Sequence, residues 1–90
     1  MIEIFITEEF RKHYENLPKE VQVKAEKQEK LFRQNPFYPS LRTEKLEPKG
    51  KQLWSFRVDK SYRVFFRFIS RDSVYFLTID PHDWIYKLKF

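Results

Sequence analysis

The amino-acid sequence predicts an α+β domain in which an N-terminal strand and a helical hairpin pack on one face of an antiparallel β-sheet. Two periodicities indicate this class. Apolar residues recur at helical spacing between residues 8 and 34, whereas they alternate with other residues over most of 52–79. The segment between them, 36–51, holds three of the five prolines and the only glycine, which predicts a loop. With 90 residues and no linker or repeat, the chain is expected to form one domain, residues 1–90.

The N-terminal segment predicts a short strand followed by a helix. Isoleucines alternate with other residues over positions 2–6, which is a strand pattern. Thr7 can then cap a helix whose first turn holds two glutamates, a favourable placement at the positive end of the helix dipole. Phe10, Tyr14 and Leu17 fall on one face of that helix.

A second helix of about 17 residues is expected to begin with Pro18 at its first position and to end at Asn35-Pro36. Its apolar face is directed at the sheet, and its other positions carry Lys, Glu and Gln. The inward residues are Val21, Ala25, Leu31 and Phe32. The two helices therefore form a hairpin with a short connection.

Three strands are expected at 52–59, 61–69 and 73–79, joined by tight turns into an antiparallel meander. If Val58 pairs with Tyr62, then Arg57 lies directly opposite Arg63 on the neighbouring strand. Like charges in that position are unfavourable by a few tenths to about 1 kcal/mol. Stability alone therefore does not explain why two arginines occupy these positions.

Alternation assigns the strand side chains to two faces. The helices are expected to cover the face that carries Trp54, Phe56, Val58, Tyr62, Val64, Phe66 and Phe68. The other face receives Ser55, Arg57, Arg63, Phe65 and Arg67. Because no second covering layer is indicated, this basic and partly aromatic face is expected to be open.

Charge is distributed unevenly along the chain. Residues 1–35 contain seven Lys/Arg and seven Asp/Glu, whereas 36–90 contain eleven and six, so the whole net charge of +5 belongs to the second part. A basic surface of this kind suits nucleic acid or an acidic protein partner, and it also occurs in domains that bind neither. The absence of cysteine, of a secretory signal and of any membrane-spanning stretch predicts a cytoplasmic protein.

Two adjacent arginines on rigid strands form a preorganised fork for one anionic group, because guanidinium donors match carboxylate or phosphate oxygens. An arriving anion would remove the repulsion of the empty site. The alternative is internal neutralisation by Asp59, Glu44 or Glu47.

Groups near the fork could supply the remaining chemistry of RNA cleavage by a 2′-hydroxyl, which needs a base, an acid and a cationic clamp. His82 follows the last strand, with Tyr86 one helical turn further on, and Glu44 lies in the charged loop. The additional cations are Lys45, Lys49, Lys51 and Arg67. We expect His13 to be a surface residue of the first helix, and we assign it no role. No metal-ligand spacing is present, so neither a metal nor another cofactor is expected.

Three segments, NPFYPSLRTEKL, WSFRVDKSYRVFF and IDPHDWIY, occur in the order loop, hairpin and chain ending. Together they resemble the RelE/ParE superfamily of toxins from type II toxin–antitoxin systems, in its RelE-, YafQ- and YoeB-like branches. The resemblance covers nearly the whole chain. It implies the RelE-like fold and a toxin that enters the ribosomal A site, contacts 16S rRNA and cleaves mRNA. It also implies a cognate antitoxin partner, so the protein would be a monomer or part of a toxin–antitoxin hetero-oligomer.

Individual roles follow from the same resemblance. Arg63 matches an arginine common to RelE- and YoeB-like sites, and Arg57 matches its strand neighbour. Glu44 resembles the general base of YoeB-like members. His82 matches the C-terminal histidine of YoeB- and YafQ-like members, and Tyr86 matches a late aromatic residue near the target nucleotide.

The resemblance leaves some assignments open. Lys49 and Lys51 stand where RelE uses lysines, so the base is Glu44, a lysine or His82. The alternatives to an mRNA endoribonuclease are a ParE-like inhibitor of DNA gyrase and an inactive homologue that only binds its antitoxin. The ParE branch usually lacks the histidine that this chain has near its end, which favours the ribonuclease.

Overall fold

The computed structural model describes residues 1–46 and 52–81. The helices are α1 (Glu8–Glu15) and α2 (Lys19–Gln34), followed by a 3₁₀ turn at Pro39–Leu41. The strands are β1 (Glu3–Ile6), β2 (Glu44–Lys45), β3 (Trp54–Arg57), β4 (Tyr62–Ser70) and β5 (Ser73–Pro81). Within these two ranges, every helix is too short or too polar to cross a membrane.

The five strands form one sheet in the order β1-β5-β4-β3-β2. Strands β2 to β5 are antiparallel neighbours, and β1 joins the far edge parallel to β5. The predicted α+β class and the antiparallel meander are confirmed. Strand β2 was not predicted, because its two residues lie in a segment rich in proline and charge, and only pairing with β3 makes them a strand.

Thr7 begins the first helix and also attaches it to the sheet. Its Oγ1 accepts a hydrogen bond from the Phe10 amide at 2.9 Å and donates one to the Leu77 carbonyl at 2.6 Å. The predicted cap is therefore confirmed. The second helix starts one residue later than predicted, since Pro18 occupies the N-cap position, and it ends at Asn35 as expected.

The core lies between α1, α2 and the inner face of the sheet, and its centre is aromatic. Phe32 of α2 is fully buried, with its ring centre 4.9 Å from that of Phe56, 5.0 Å from Phe66 and 5.5 Å from Phe76. The residues predicted for the inner face are all in this core or packed against it. The assignment of faces by alternation is confirmed.

The prediction of an open second face is wrong at the centre of that face. Ser55, Phe65 and Thr78 are neighbours across β3, β4 and β5, and all three are buried. Arg57 and Arg63 are partly buried, and Arg67 is exposed. Alternation gives the direction of a side chain but not what packs above it. Burial of a phenylalanine ring contributes about 1.5–3 kcal/mol, which favours covering this position.

Candidate anion-binding site

The hairpin between β3 and β4 sets the two arginines opposite each other. Arg57 and Arg63 are Cα partners in the antiparallel ladder, as predicted. The Val58 amide donates to the Tyr62 carbonyl at 3.0 Å, which closes the hairpin in this register. The Asp59 carboxylate accepts from the Ser61 and Tyr62 amides at 2.7 and 2.8 Å. The turn therefore holds the register rigidly, and with it the arginine pair.

Internal neutralisation of the pair is weak among the residues that the structure describes. The Arg57 Nε donates to the Asp59 main-chain carbonyl at 3.3 Å, so this contact brings no opposite charge. Asp59 uses its carboxylate in the turn and lies 3.9 Å from the Lys24 amine. Glu47, the third acid considered from the sequence, lies outside the described residues.

Glu44 is the carboxylate that approaches the pair. Its Oε1 lies 3.9 Å from Arg63 Nη1, which is beyond hydrogen-bonding distance. The Glu44 side chain is 58 % exposed, whereas that of Arg63 is 18 % exposed. Strand β2 produces this proximity, because Glu44 is the Cα partner of Ser55 and so shares the face of the arginines. An exposed, loosely held carboxylate beside a partly buried guanidinium can exchange a proton or be displaced by an anion.

Lys45 and Arg67 both lie away from the Arg57–Arg63 pair. Lys45 is the Cα partner of Trp54, and its amine stands 6.0 Å from the centre of the Trp54 ring, on the face opposite to Glu44. Arg67 shares the face of Arg63 but is four residues along β4, about 13 Å at the usual rise of a strand. Lys45 is therefore not brought together with the arginines.

The remaining predicted site residues lie outside the described ranges. They are Lys49, Lys51, His82 and Tyr86. Their assignment stays a prediction.

A polar cluster that the sequence did not indicate lies beside the arginine row. His13 Nδ1 stands 3.0 Å from Asp80 Oδ1 and 2.9 Å from Thr78 Oγ1, and Thr78 Oγ1 also donates to Asp80 Oδ2. Asp80 is in turn the Cα partner of Arg63. His13 was expected to be a surface residue without a role. The sequence holds no local signal for this cluster, since His13 and Asp80 are 67 residues apart.

Glu9 extends the same cluster by one helical turn. Ligand-type atoms of Glu9, His13 and Asp80 all lie within 4.8 Å of one another. These three side chains are therefore close enough together to be metal ligands, although their spacing along the sequence did not indicate a metal site. His13 and Asp80 already form hydrogen bonds with each other and with Thr78.

The one phenol with a strongly shifted pKa in the described part of the chain lies away from this site, between the helices. Burial raises the pKa of Tyr14 to about 12, helped by the hydrogen bond that its hydroxyl donates to Glu26 Oε2 at 2.8 Å. This tyrosine stays neutral at physiological pH and serves packing.

Comparison with solved structures shows the fold. The chain is similar to the YoeB/ParE toxin from Agrobacterium tumefaciens, with a TM-score of 0.74 and 18% identity over 90% of this chain and 99% of that one. A chain of the archaeal RelE–RelB complex from Pyrococcus horikoshii OT3 has the same TM-score and 21% identity, over 92% and 97%. YafQ from E. coli BL21(DE3) also has a TM-score of 0.74, with 13% identity over 96% and 99%.

Comparison with sequences shows the family. No curated protein sequence matches this chain. A family model does match, that of the RelE-like toxin of type II toxin–antitoxin system HigB, and it aligns with residues 12–82. That span includes both arginines, Glu44 and the His13–Asp80 cluster, and it confirms the resemblance first seen in three short segments. The chain belongs to the RelE-like toxins of type II toxin–antitoxin systems, in the HigB-like family.

Proposed function

We propose that this toxin is a ribosome-dependent mRNA endoribonuclease that stops translation in the cytoplasm. The observation that carries the proposal is the Arg57–Arg63 pair. The two arginines are Cα partners on neighbouring strands, and the nearest carboxylate to either guanidinium in the described structure is 3.9 Å away and exposed. A phosphate diester is an anion that such a fork fits, because each guanidinium presents paired donors.

The reaction uses only protein groups. A base removes the proton of the RNA 2′-hydroxyl, and the freed oxygen forms a bond to the adjacent phosphorus. The bond from phosphorus to the 5′ oxygen then breaks, and an acid protonates that leaving oxygen. The products are a 2′,3′-cyclic phosphate, which can open to a 3′-phosphate, and a 5′-hydroxyl. Arg57 and Arg63 stabilise the charge of the phosphorane, as preorganised donors do in other phosphoryl chemistry.

The proton-transfer roles are assigned to Glu44, His82 and Tyr86. Glu44 is proposed as a base because its carboxylate lies beside Arg63 and is exposed to solvent. His82 is the other proposed base or the acid, and Tyr86 is the acid or the group that stacks on the target base. Arg67 is a proposed RNA contact on the arginine face, and Lys49 and Lys51 are further proposed RNA contacts. Lys45, on the opposite face, would contact a different part of the RNA.

A cognate antitoxin is the proposed protein partner. One similar structure is named as a RelE–RelB complex, which supports a partner of that class for this chain. The basic excess of residues 36–90 suits an acidic antitoxin segment that covers the arginine face. Such a segment would neutralise the fork in the same way as RNA.

The test is expression of the toxin followed by primer extension on mRNA. We expect discrete cuts with 5′-hydroxyl ends, abolished by Arg63→Ala and retained in Arg71→Ala, which removes the same charge from an exposed turn. DNA breaks or gyrase inhibition without RNA cuts would overturn the proposal in favour of a ParE-like toxin. Tight antitoxin binding without toxicity or cuts would overturn it in favour of an inactive homologue.

A further inference from the structure

Arg63 and Asp80 are opposite charges placed side by side, yet they do not pair. They are Cα partners on β4 and β5, in the row that also contains Arg57. An acid and a base in this position ordinarily attract each other across a sheet. Among the described residues, Arg63 is instead closest to the carboxylate of Glu44, and the Asp80 carboxylate is hydrogen-bonded to His13.

The Asp80 carboxylate is instead held by two other groups, His13 and Thr78. His13 Nδ1 lies 3.0 Å from Oδ1 and 3.1 Å from Oδ2, and the Thr78 hydroxyl donates to Oδ2. Thr78 is buried, and the Asp80 side chain is only 15 % exposed. These contacts satisfy the carboxylate without a cation from the sheet.

The fold keeps His13 where it can do this. In the described part of the chain, β1 pairs with β5 only as far as Phe76, and α1 packs against β5. Thr7 fastens the start of α1 to β5 through its bond to the Leu77 carbonyl. His13, nearly two turns further along the helix, therefore meets Thr78 and Asp80 on the same strand.

We propose that His13 is a positioning residue: together with Thr78 it holds the Asp80 carboxylate away from Arg63, so that Arg63 remains available for a backbone phosphate of single-stranded RNA. This inference rests on the proposed function, because it assumes that the arginine fork binds RNA. It assigns His13 no contact with the substrate.

The two neighbouring acids differ in how they would compete with RNA. Glu44 is 58 % exposed and lies at 3.9 Å, so solvent screens it and a phosphate can displace it. Asp80 is much less exposed, and a part-buried carboxylate released beside Arg63 would be screened far less. A freed Asp80 would therefore close the fork by pairing with Arg63, whereas Glu44 leaves it open.

The experiment measures binding of the whole protein to a single-stranded RNA oligonucleotide by fluorescence anisotropy at one fixed salt concentration. Arg63→Ala is expected to weaken binding about tenfold, as loss of a charged hydrogen-bond donor does. His13→Ala should weaken it by several-fold, although His13 itself has no contact with the RNA. Asn16→Ala, an exposed change at the C-cap of the same helix, should bind like the wild type.

The decisive measurement repeats His13→Ala in two other backgrounds. In Asp80→Asn the histidine change should have no effect, because the amide cannot form an ion pair with Arg63. In Arg63→Ala it should also have no effect. Thr78→Val, which removes the other hydrogen bond to Asp80, should show the same dependence, and it keeps the test available if His13→Ala fails to fold. Folding is checked by circular dichroism.

The outcomes separate the two proposals. If Arg63→Ala binds RNA as tightly as the wild type, the anion site of the proposed function is wrong. If Arg63→Ala weakens binding but His13→Ala and Thr78→Val do not, only the positioning role is overturned. The positioning role is also overturned if His13→Ala still weakens RNA binding in the Asp80→Asn background.

Discussion

Arg57 and Arg63 face each other as Cα partners on β3 and β4, and the closest carboxylate to either guanidinium in the described structure is that of Glu44, 3.9 Å from Arg63. A protein under selection for stability alone would gain from replacing one of these cations, since like charges in this position repel. The proposed function accounts for this cost, because an anion bound at the pair would offset the repulsion. Functional sites commonly carry such a local cost.

Arg57→Ala should leave the fold at least as stable as the wild type. The change relieves the repulsion by Arg63, worth a few tenths to about 1 kcal/mol, and loses only a 3.3 Å bond to the Asp59 carbonyl. The free energy of unfolding in urea is the measurement. Arg67→Ala is the control, because it removes the same charge from an exposed place on β4. A loss of more than about 2 kcal/mol in Arg57→Ala alone would show that this arginine is structural.

Ser55→Ala should be neutral or stabilising. The Ser55 hydroxyl is fully buried and has no hydrogen-bond partner among residues 1–46 and 52–81, so its removal relieves a desolvation cost of about 1–3 kcal/mol, less the small loss of packing. Thr78→Val is the matched comparison on the same row of the face, since that hydroxyl bonds to His13 and Asp80 and its loss should destabilise. Thermal unfolding of both variants measures the contrast, and equal effects would contradict this account.

Phe32→Ala should destabilise the protein by about 3–5 kcal/mol, because it empties the centre of the aromatic core between α2 and the sheet. Such a loss is a large share of the stability of a small domain. Phe37→Ala is the control: that ring is 56 % exposed and rests on the rim of the core, so its loss should cost about 1 kcal/mol or less. Denaturant unfolding curves compare them. Similar losses in the free energy of unfolding for the two variants would show that Phe32 is not at the centre of the core.

Tyr14→Phe should reduce the loss of stability that occurs at alkaline pH. The pKa of Tyr14 is raised from 10.0 to about 12, so above pH 10 the unfolded chain releases the phenolic proton before the folded chain does. The stabilisation by neutral Tyr14 is complete below pH 10 and is lost as pH rises through about 12. Urea midpoints at pH about 9 and about 11 should fall further for the wild type than for the variant. Parallel decreases would show that Tyr14 titrates equally in both states.

Much of the fold was accessible from local pattern. The Thr7 cap, the end of α2 at Asn35 and the meander follow from helical spacing, turn residues and alternation, and all are observed. The opposition of Arg57 and Arg63 was also predictable, because a three-residue turn and a period of two leave one register. Strand β2 was not, since its two residues take their conformation from the partner strand.

The sequence by itself therefore determined the two helices, the strands other than β2, the faces that they present and which two cations are opposite each other. Tertiary structure decided the rest: Glu44 reaches Arg63 only because β2 pairs with β3, Phe65 is buried on the face expected to be open, and Asp80 turns to His13 instead of Arg63. Each of these depends on how separate elements lie against one another. Local periodicity describes a residue's neighbours along the chain, whereas these contacts join residues far apart in sequence, and packing alone brings them together.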